Sequence, residues 1–118
     1  IRVLKKMVPL SLTEPKPGTT IFDLGQNMVG WCRFKVHGRA GDIVTARYAE
    51  MLNDDGAIYT ANLRGAPATD RFILRGGREE ILEPHFTYHG FRYVEVAGIS
   101  YRPSLEDALG MVFYSSAP

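Results

Sequence analysis

The residues of this chain that could do chemistry are thirteen carboxylates, three histidines, one cysteine and a rich set of aromatic rings. Paired carboxylates are the minimum for hydrolysing an acetal linkage, one acting as acid and the other as base or nucleophile. Thirteen of them offer so many pairs that their number selects none. Glu95 is the most distinctive, because Arg92-Tyr93-Val94-Glu95-Val96 reads as a strand with Phe91, Tyr93 and Glu95 on one face. A carboxylate on an aromatic face needs a partner or a wet cleft, and an arginine on a neighbouring strand is the simplest partner. His85 and His89 are spaced for one face of a helix, as a metal pair would require. Pro84, Gly90 and the surrounding Phe86, Tyr88, Phe91 and Tyr93 make the segment extended instead, so no metal is expected there. Asn53-Asp54-Asp55-Gly56 has the composition of a calcium loop, which needs about six to eight oxygen ligands and a Glu at its twelfth position. Counting from Asn53 that position is Arg64, so the segment is a tight turn. Cys32 is alone and cannot form an internal disulfide, and three His with one Cys do not make a closed zinc site. There is no G-x-S-x-G elbow, Walker loop, H-E-x-x-H or C-x-x-C motif, and Gly25 to Gly30 lacks the spacing of a dinucleotide loop. No catalytic residue, metal or cofactor is therefore assigned.

The rings carry more information. Trp31 falls on the charged face of its strand, and Tyr88, Phe91 and Tyr93 lie within six residues. Flat apolar rings beside polar groups suit a sugar, whose axial hydrogens stack on the ring while its hydroxyls take directed bonds. They also suit the core of a protein interface, or the domain's own core. All three readings stay open on the residues alone.

These groups must be positioned by short elements. Apolar runs are separated by turn residues, and twelve Gly and seven Pro punctuate the chain. Such spacing predicts an all-β fold of about eight strands, a single jelly-roll-like antiparallel β-sandwich. Strands are expected at Val8 to Thr13, ending in Pro15-Lys16-Pro17-Gly18, and at Ile21 to Leu24 before Gly25. Gly30 to His37 should place Cys32, Phe34 and Val36 on one face and Trp31, Arg33, Lys35 and His37 on the other. Gly38 to Asp42 has the length of a hairpin loop, returning into Ile43 to Met51 with Val44, Ala46 and Tyr48 alternating against Thr45 and Arg47. Tyr59 to Ala68 reads as a long surface loop. Thr69 to Arg75, Glu79 to Glu83, Phe91 to Ala97 and Ala108 to Tyr114 complete the strands, and Ser104-Leu105-Glu106-Asp107 has the pattern of a capped helical turn. Arg75 to Glu80 mixes both charges, as a solvated hairpin does.

Composition bounds the rest. The 118 residues, 13.2 kDa, suit one domain, 1–118, and 45% hydrophobic with 23% charged residues is ordinary globular usage. A net charge of +1 gives no basic field for nucleic acid or an anionic membrane, and no run of residues is apolar enough to span a bilayer. The chain starts at Ile1 without an initiator Met and stops at Ser115-Ser116-Ala117-Pro118 straight after an apolar run, as an excised domain would. A single Cys and no leader favour the cytoplasm, whereas a secreted or periplasmic parent would carry its leader ahead of an earlier domain.

Asp23-Leu24-Gly25-Gln26-Asn27-Met28-Val29-Gly30-Trp31 resembles the D-x-G-Q-N-x-x-G opening of the concanavalin-like β-sandwich domain of bacterial α-L-rhamnosidases. Tyr48-Ala49-Glu50, Asp55-Gly56, Tyr59, Asn62-Leu63-Arg64 and Ala68-Thr69-Asp70 look like its next block, and Phe86 to Val96 like its most recognisable stretch. Three blocks in the family's order are a specific signal. The resemblance implies an accessory domain of an enzyme that removes terminal α-L-rhamnose with inversion, its acid and base lying in an (α/α)₆ helical barrel that 118 strand-rich residues cannot supply. The domain alone should be inactive, and no catalytic residue is carried over to it. The partners implied are that barrel and neighbouring β domains of the same polypeptide, with rhamnosyl glycans as a further class. Residues 1–12 would be the exit from a preceding β domain. The contacts with protein or glycan would come from Trp31, Asn62, Arg64, Tyr88, Phe91 and Tyr93, with Asn62 and Arg64 alternatively tying down their own loop. The alternative function is an independent carbohydrate-binding module with an aromatic sugar platform.

Overall fold

A computed structural model describes residues 2–59, 68–84 and 87–115. Among them lie eight strands: β1 (Arg2–Met7), β2 (Ser11–Lys16), β3 (Thr19–Val36), β4 (Ile43–Ala49), β5 (Thr69–Ile73), β6 (Glu80–Leu82), β7 (His89–Ala97) and β8 (Ala108–Ser115). A 3₁₀ turn at Leu105–Asp107 precedes β8, closed by the reciprocal Ser104 and Asp107 capping box that the sequence pattern predicts. Every strand pairing is antiparallel. The expected all-β, antiparallel jelly-roll-like sandwich is the observed fold.

Two strands expected on either side of Gly25 are one. β3 runs for eighteen residues and serves both layers. Its first part pairs with β2 on one side and β7 on the other, and its second part with β8 and β6. Between Asp23 and Met28 the register against β7 shifts, so the extra residues bend the strand without ending it. Gly25 sits in that bend with φ +91°, a conformation costly for any residue with a Cβ. The segment Gly38 to Asp42 does not close a hairpin either, since β4 pairs with β5 and β7 rather than β3. β6 likewise pairs with β3 and not with β5. Residues 1–12, expected as the exit from a preceding β domain, supply β1 against β8 and the start of β2.

The alternation expected for β3 and β4 is met. Cys32, Phe34 and Val36 point inward with Val44, Ala46 and Tyr48, joining Phe22, Leu24, Phe91, Val94, Val96 and Val112 in the main core. A smaller cluster of Ile21, Ala49 and Ile58 lies on the outer face of the β3–β7–β4 layer, with Leu52 and Tyr93 packed on it. The Asn53–Gly56 turn folds Leu52 and Ile58 into an antiparallel bridge that covers this cluster.

Candidate functional site

The site is built from the outward positions of β3. Trp31 and Arg33 alternate with the buried Cys32 and Phe34, so both rise from the outer face. β6 pairs Leu82 with Phe34, which carries the following residue, Glu83, alongside. Glu83 Oε2 accepts the Trp31 Nε1–H at 2.6 Å, and its Oε1 accepts the Arg33 Nε–H at 3.3 Å. The carboxylate thus fixes the indole and the guanidinium together. On the other flank β8 places Phe113 beside Trp31, edge to face at 5.3 Å. Tyr88, 57% exposed, meets the same Phe113 ring edge-on at 5.6 Å. Trp31, Pro84, Thr87, Tyr88 and Phe113 line a groove of about 400 Å³.

The other residues picked out by the sequence do not join this groove. Phe91 is fully buried and packs edge-on against Tyr48 at 4.7 Å, so it is core and unavailable to a ligand or a partner. Tyr93 lies against the smaller cluster with the Arg92 guanidinium 4.9 Å from its ring centre. Phe91 and Tyr93 therefore do not share a face, contrary to simple alternation, because β3 changes register opposite them. Asn62, Arg64 and His85 lie outside the described residues. Glu95 has the neighbouring-strand partner expected: Arg47 Nη1 of β4 donates to it at 3.4 Å from the register position opposite.

A buried polar cluster was not foreseen. Tyr48 Oη donates to Asp70 Oδ2 at 2.9 Å while accepting the Cys32 backbone N–H at 3.3 Å. His89 Nε2 lies 3.3 Å from Asp70 Oδ1, and its ring stacks on Tyr48 at 4.3 Å. The sequence pattern points Tyr48 and Cys32 inward and puts Thr69-Asp70 in a strand. The missing signal was the pairing of β5 with β4, which sets Asp70 opposite Ala46 and close to Tyr48. Burial pushes both the Tyr48 phenol and the Cys32 thiol up, so neither ionises readily.

The carboxylates whose pKa shifts are resolved shift downward. A general acid needs a carboxyl whose pKa is raised. Asp23 goes the other way: its bonds from Arg92 hold it below the usual value of 3.8, against the opposing effect of its partial burial. Glu80 is lowered too, by the backbone N–H groups of Arg75 and Gly76 that it accepts. Asp70, Glu83 and Glu95 are each engaged by the donors named above. Among the described residues no group of three His, Cys, Asp or Glu is placed to hold a metal.

Comparison with known proteins identifies the fold. Residues 13–114 match the family model of the bacterial α-L-rhamnosidase concanavalin-like domain. An α-L-rhamnosidase of Streptomyces avermitilis is 54% identical over all 118 residues, which make up 12% of that protein. The crystal structure of a Streptomyces avermitilis α-L-rhamnosidase complexed with L-rhamnose superposes with a TM-score of 0.90 at 55% identity, covering 97% of this chain and 11% of that one. The structure of the α-L-rhamnosidase from Dictyoglumus thermophilum gives 0.89 at 42% identity, covering 95% of this chain and 13% of the other. The chain thus spans only about an eighth of the length of these relatives. It belongs to the bacterial α-L-rhamnosidase concanavalin-like domain family.

Proposed function

We propose that this chain is an accessory β-sandwich domain of an inverting α-L-rhamnosidase, supporting and orienting a catalytic (α/α)₆ barrel carried elsewhere in the same polypeptide. The observation that carries the reading is the match to an α-L-rhamnosidase over the whole chain at 54% identity and over just 12% of that enzyme. The engagement of Asp23, Asp70, Glu80, Glu83 and Glu95 by donors of the sandwich itself supports a non-catalytic role. The whole polypeptide would hydrolyse terminal α-L-rhamnosides, and the domain alone would be inert. Assaying an aryl α-L-rhamnoside with the 118-residue chain and with the full polypeptide tests this. Turnover by the full polypeptide alone is expected, and turnover by the short chain would overturn it.

A second reading, an independent carbohydrate-binding module, draws on the groove between Trp31, Tyr88 and Phe113. It expects saturable, rhamnose-specific shifts of these residues in an NMR titration, with glucose as the control. Equal or absent shifts would dismiss it.

A further inference from the structure

The outer face of the β3–β7–β4 layer carries a pocket of its own, away from the Trp31 groove. Register sets Ile21, Glu95 and Arg47 in one row across the three strands, and Thr19, Ala97 and Thr45 in the next. Glu95 thus stands on the middle strand of the layer, where neighbours on both sides shield it. Two turns wall these rows. The Pro17-Gly18 turn, with Gly18 at φ +82°, returns the chain so that Lys16 lies opposite Thr19. The Asn53–Gly56 turn contributes Asp55 and the Ile58 that follows it. Together with Glu95 and Arg47 they enclose about 350 Å³.

The polar groups of this pocket are only half satisfied from within. Arg47 reaches Glu95 Oε1 through one N–H at 3.4 Å, whereas Arg92 holds Asp23 in the same layer through two bonds at 2.9 and 3.1 Å. The Glu95 side chain is 12% exposed, yet among the described residues its Oε2 accepts no bond. Thr19 is 5% exposed, and its hydroxyl is likewise unbonded among the described residues. No buried side-chain nitrogen or oxygen among the described residues lacks a partner, so both of these atoms meet solvent, and the pocket they line admits it. Asp55 Oδ1 accepts the Ala57 N–H at 3.0 Å, which fixes this carboxylate at the rim with its Oδ2 free. A few fixed polar groups converging on one enclosed space are what orients a small ligand.

The chemistry of the lining selects the ligand. The formal charges of Lys16 and Arg47 cancel those of Asp55 and Glu95, so the pocket offers no net attraction to an anion or a cation. The two deeper charges already face each other, which leaves them hydrogen-bonding capacity rather than charge to spend on a ligand. Donors set beside acceptors match neighbouring hydroxyls, each of which donates and accepts. Pro15 and Ile58 add an apolar wall. We propose that this pocket binds one 6-deoxyhexose ring, its hydroxyls on Glu95, Arg47 and Thr19 and its methyl group against Pro15 and Ile58. The choice of L-rhamnose as the probe rests on the rhamnosidase reading above, while the recognition of hydroxyls rests on the pocket.

An NMR titration of the 118-residue chain, carried into the tens of millimolar, tests the proposal through the Ile58 methyl and Thr19 amide signals, with Ile73 on β5 as the internal reference. L-rhamnose should shift Ile58 and Thr19 saturably and leave Ile73 unmoved. L-mannose, which differs by a 6-hydroxyl, should bind several-fold more weakly, and D-glucose and the zwitterion L-alanine should give no saturable shift. Glu95→Gln should weaken L-rhamnose about tenfold, as loss of a charged acceptor does. Lys16→Ala lies on the exposed rim, cannot disturb the core, and should weaken it several-fold. A silent Ile58, a tighter response to L-alanine, equal affinity for L-mannose, or shifts confined to Trp31 and Tyr88 would each overturn the proposal. The titration needs no turnover. A full polypeptide inactive on rhamnosides would defeat the functional reading and leave a saturable pocket standing, and an active polypeptide with a silent pocket would do the reverse.

Discussion

Arg92 grips Asp23 through two parallel bonds, Nε to Oδ1 at 2.9 Å and Nη2 to Oδ2 at 3.1 Å, across the bend of β3. Asp23 Oδ1 also accepts the Gly25 N–H at 2.7 Å, so one carboxylate closes the turn within β3 and pins it to β7. The pin matters because the bend is where β3 passes from one layer to the other, and both layers depend on it. Asp23 opens the first sequence block that resembles the family, and Arg92 lies in the third.

Asp23→Asn should lower stability by about 1–2 kcal/mol, a charge-assisted bidentate bond discounted for the partial exposure of both partners. The acid dependence follows from the sign of the shift. The folded-state pKa of Asp23 lies below its usual 3.8, so its contribution is present above that value and is lost as pH falls through the folded pKa. Urea midpoints between pH 7 and pH 2.5 are expected to fall more steeply on the acid side for the wild type than for Asp23→Asn. Parallel acid limbs would remove Asp23 from the account.

Tyr48→Phe should cost about 1–3 kcal/mol, because it strands the Cys32 N–H and one oxygen of Asp70 in the interior. Asp70→Asn keeps an oxygen acceptor for the Tyr48 hydroxyl and should cost less. Denaturant unfolding of both variants gives the order, and a larger loss for Asp70→Asn would show that the His89 contact dominates instead.

Local pattern revealed which side chains face inward and missed which strands meet. Phe34, Val36, Val44, Ala46 and Tyr48 fell on the core face because period-two alternation holds wherever a strand is straight. It failed at Gly25, where a positive-φ glycine resembled a strand end yet the ladder continued on both sides of the bend. The same bend separates Phe91 from Tyr93, so three clustered rings became a core residue, a flank of the smaller cluster and an exposed groove wall. Glu95 and its arginine were legible because a buried carboxylate has few ways to be satisfied. The Tyr48–Asp70–His89 cluster was not, since it joins β4, β5 and β7 and no spacing along the chain encodes which strands lie side by side.

Cys32 is wholly buried, and burial pushes its thiol pKa up, so both access and ionisation oppose reaction. A neutral aromatic disulfide reagent should leave the native chain unlabelled at pH 8 and label it stoichiometrically in urea. Native-state labelling should accelerate in Tyr48→Phe by about tenfold for each 1.4 kcal/mol of lost stability, because reaction then reports the opened population. Rapid labelling of the wild type would mean that β3 and β4 part far more readily than their packing implies.

Gly30 lets two backbones come close. A Cβ there would collide with the Met111 carbonyl oxygen and crowd the Val112 Cα, both on β8, and no flexible side chain can yield. Gly30→Ala should therefore push β8 away from β3 and cost about 1–3 kcal/mol, the range of overpacking with backbone displacement. Gly41 is the control. Its φ is +90° but nothing lies within 4 Å of a Cβ, so Gly41→Ala carries only the conformational cost of about 1 kcal/mol. Thermal unfolding of the two variants separates the effects. Equal stability losses would mean that the sheet relaxes around Gly30 and that the close approach of β3 to β8 is not rigid.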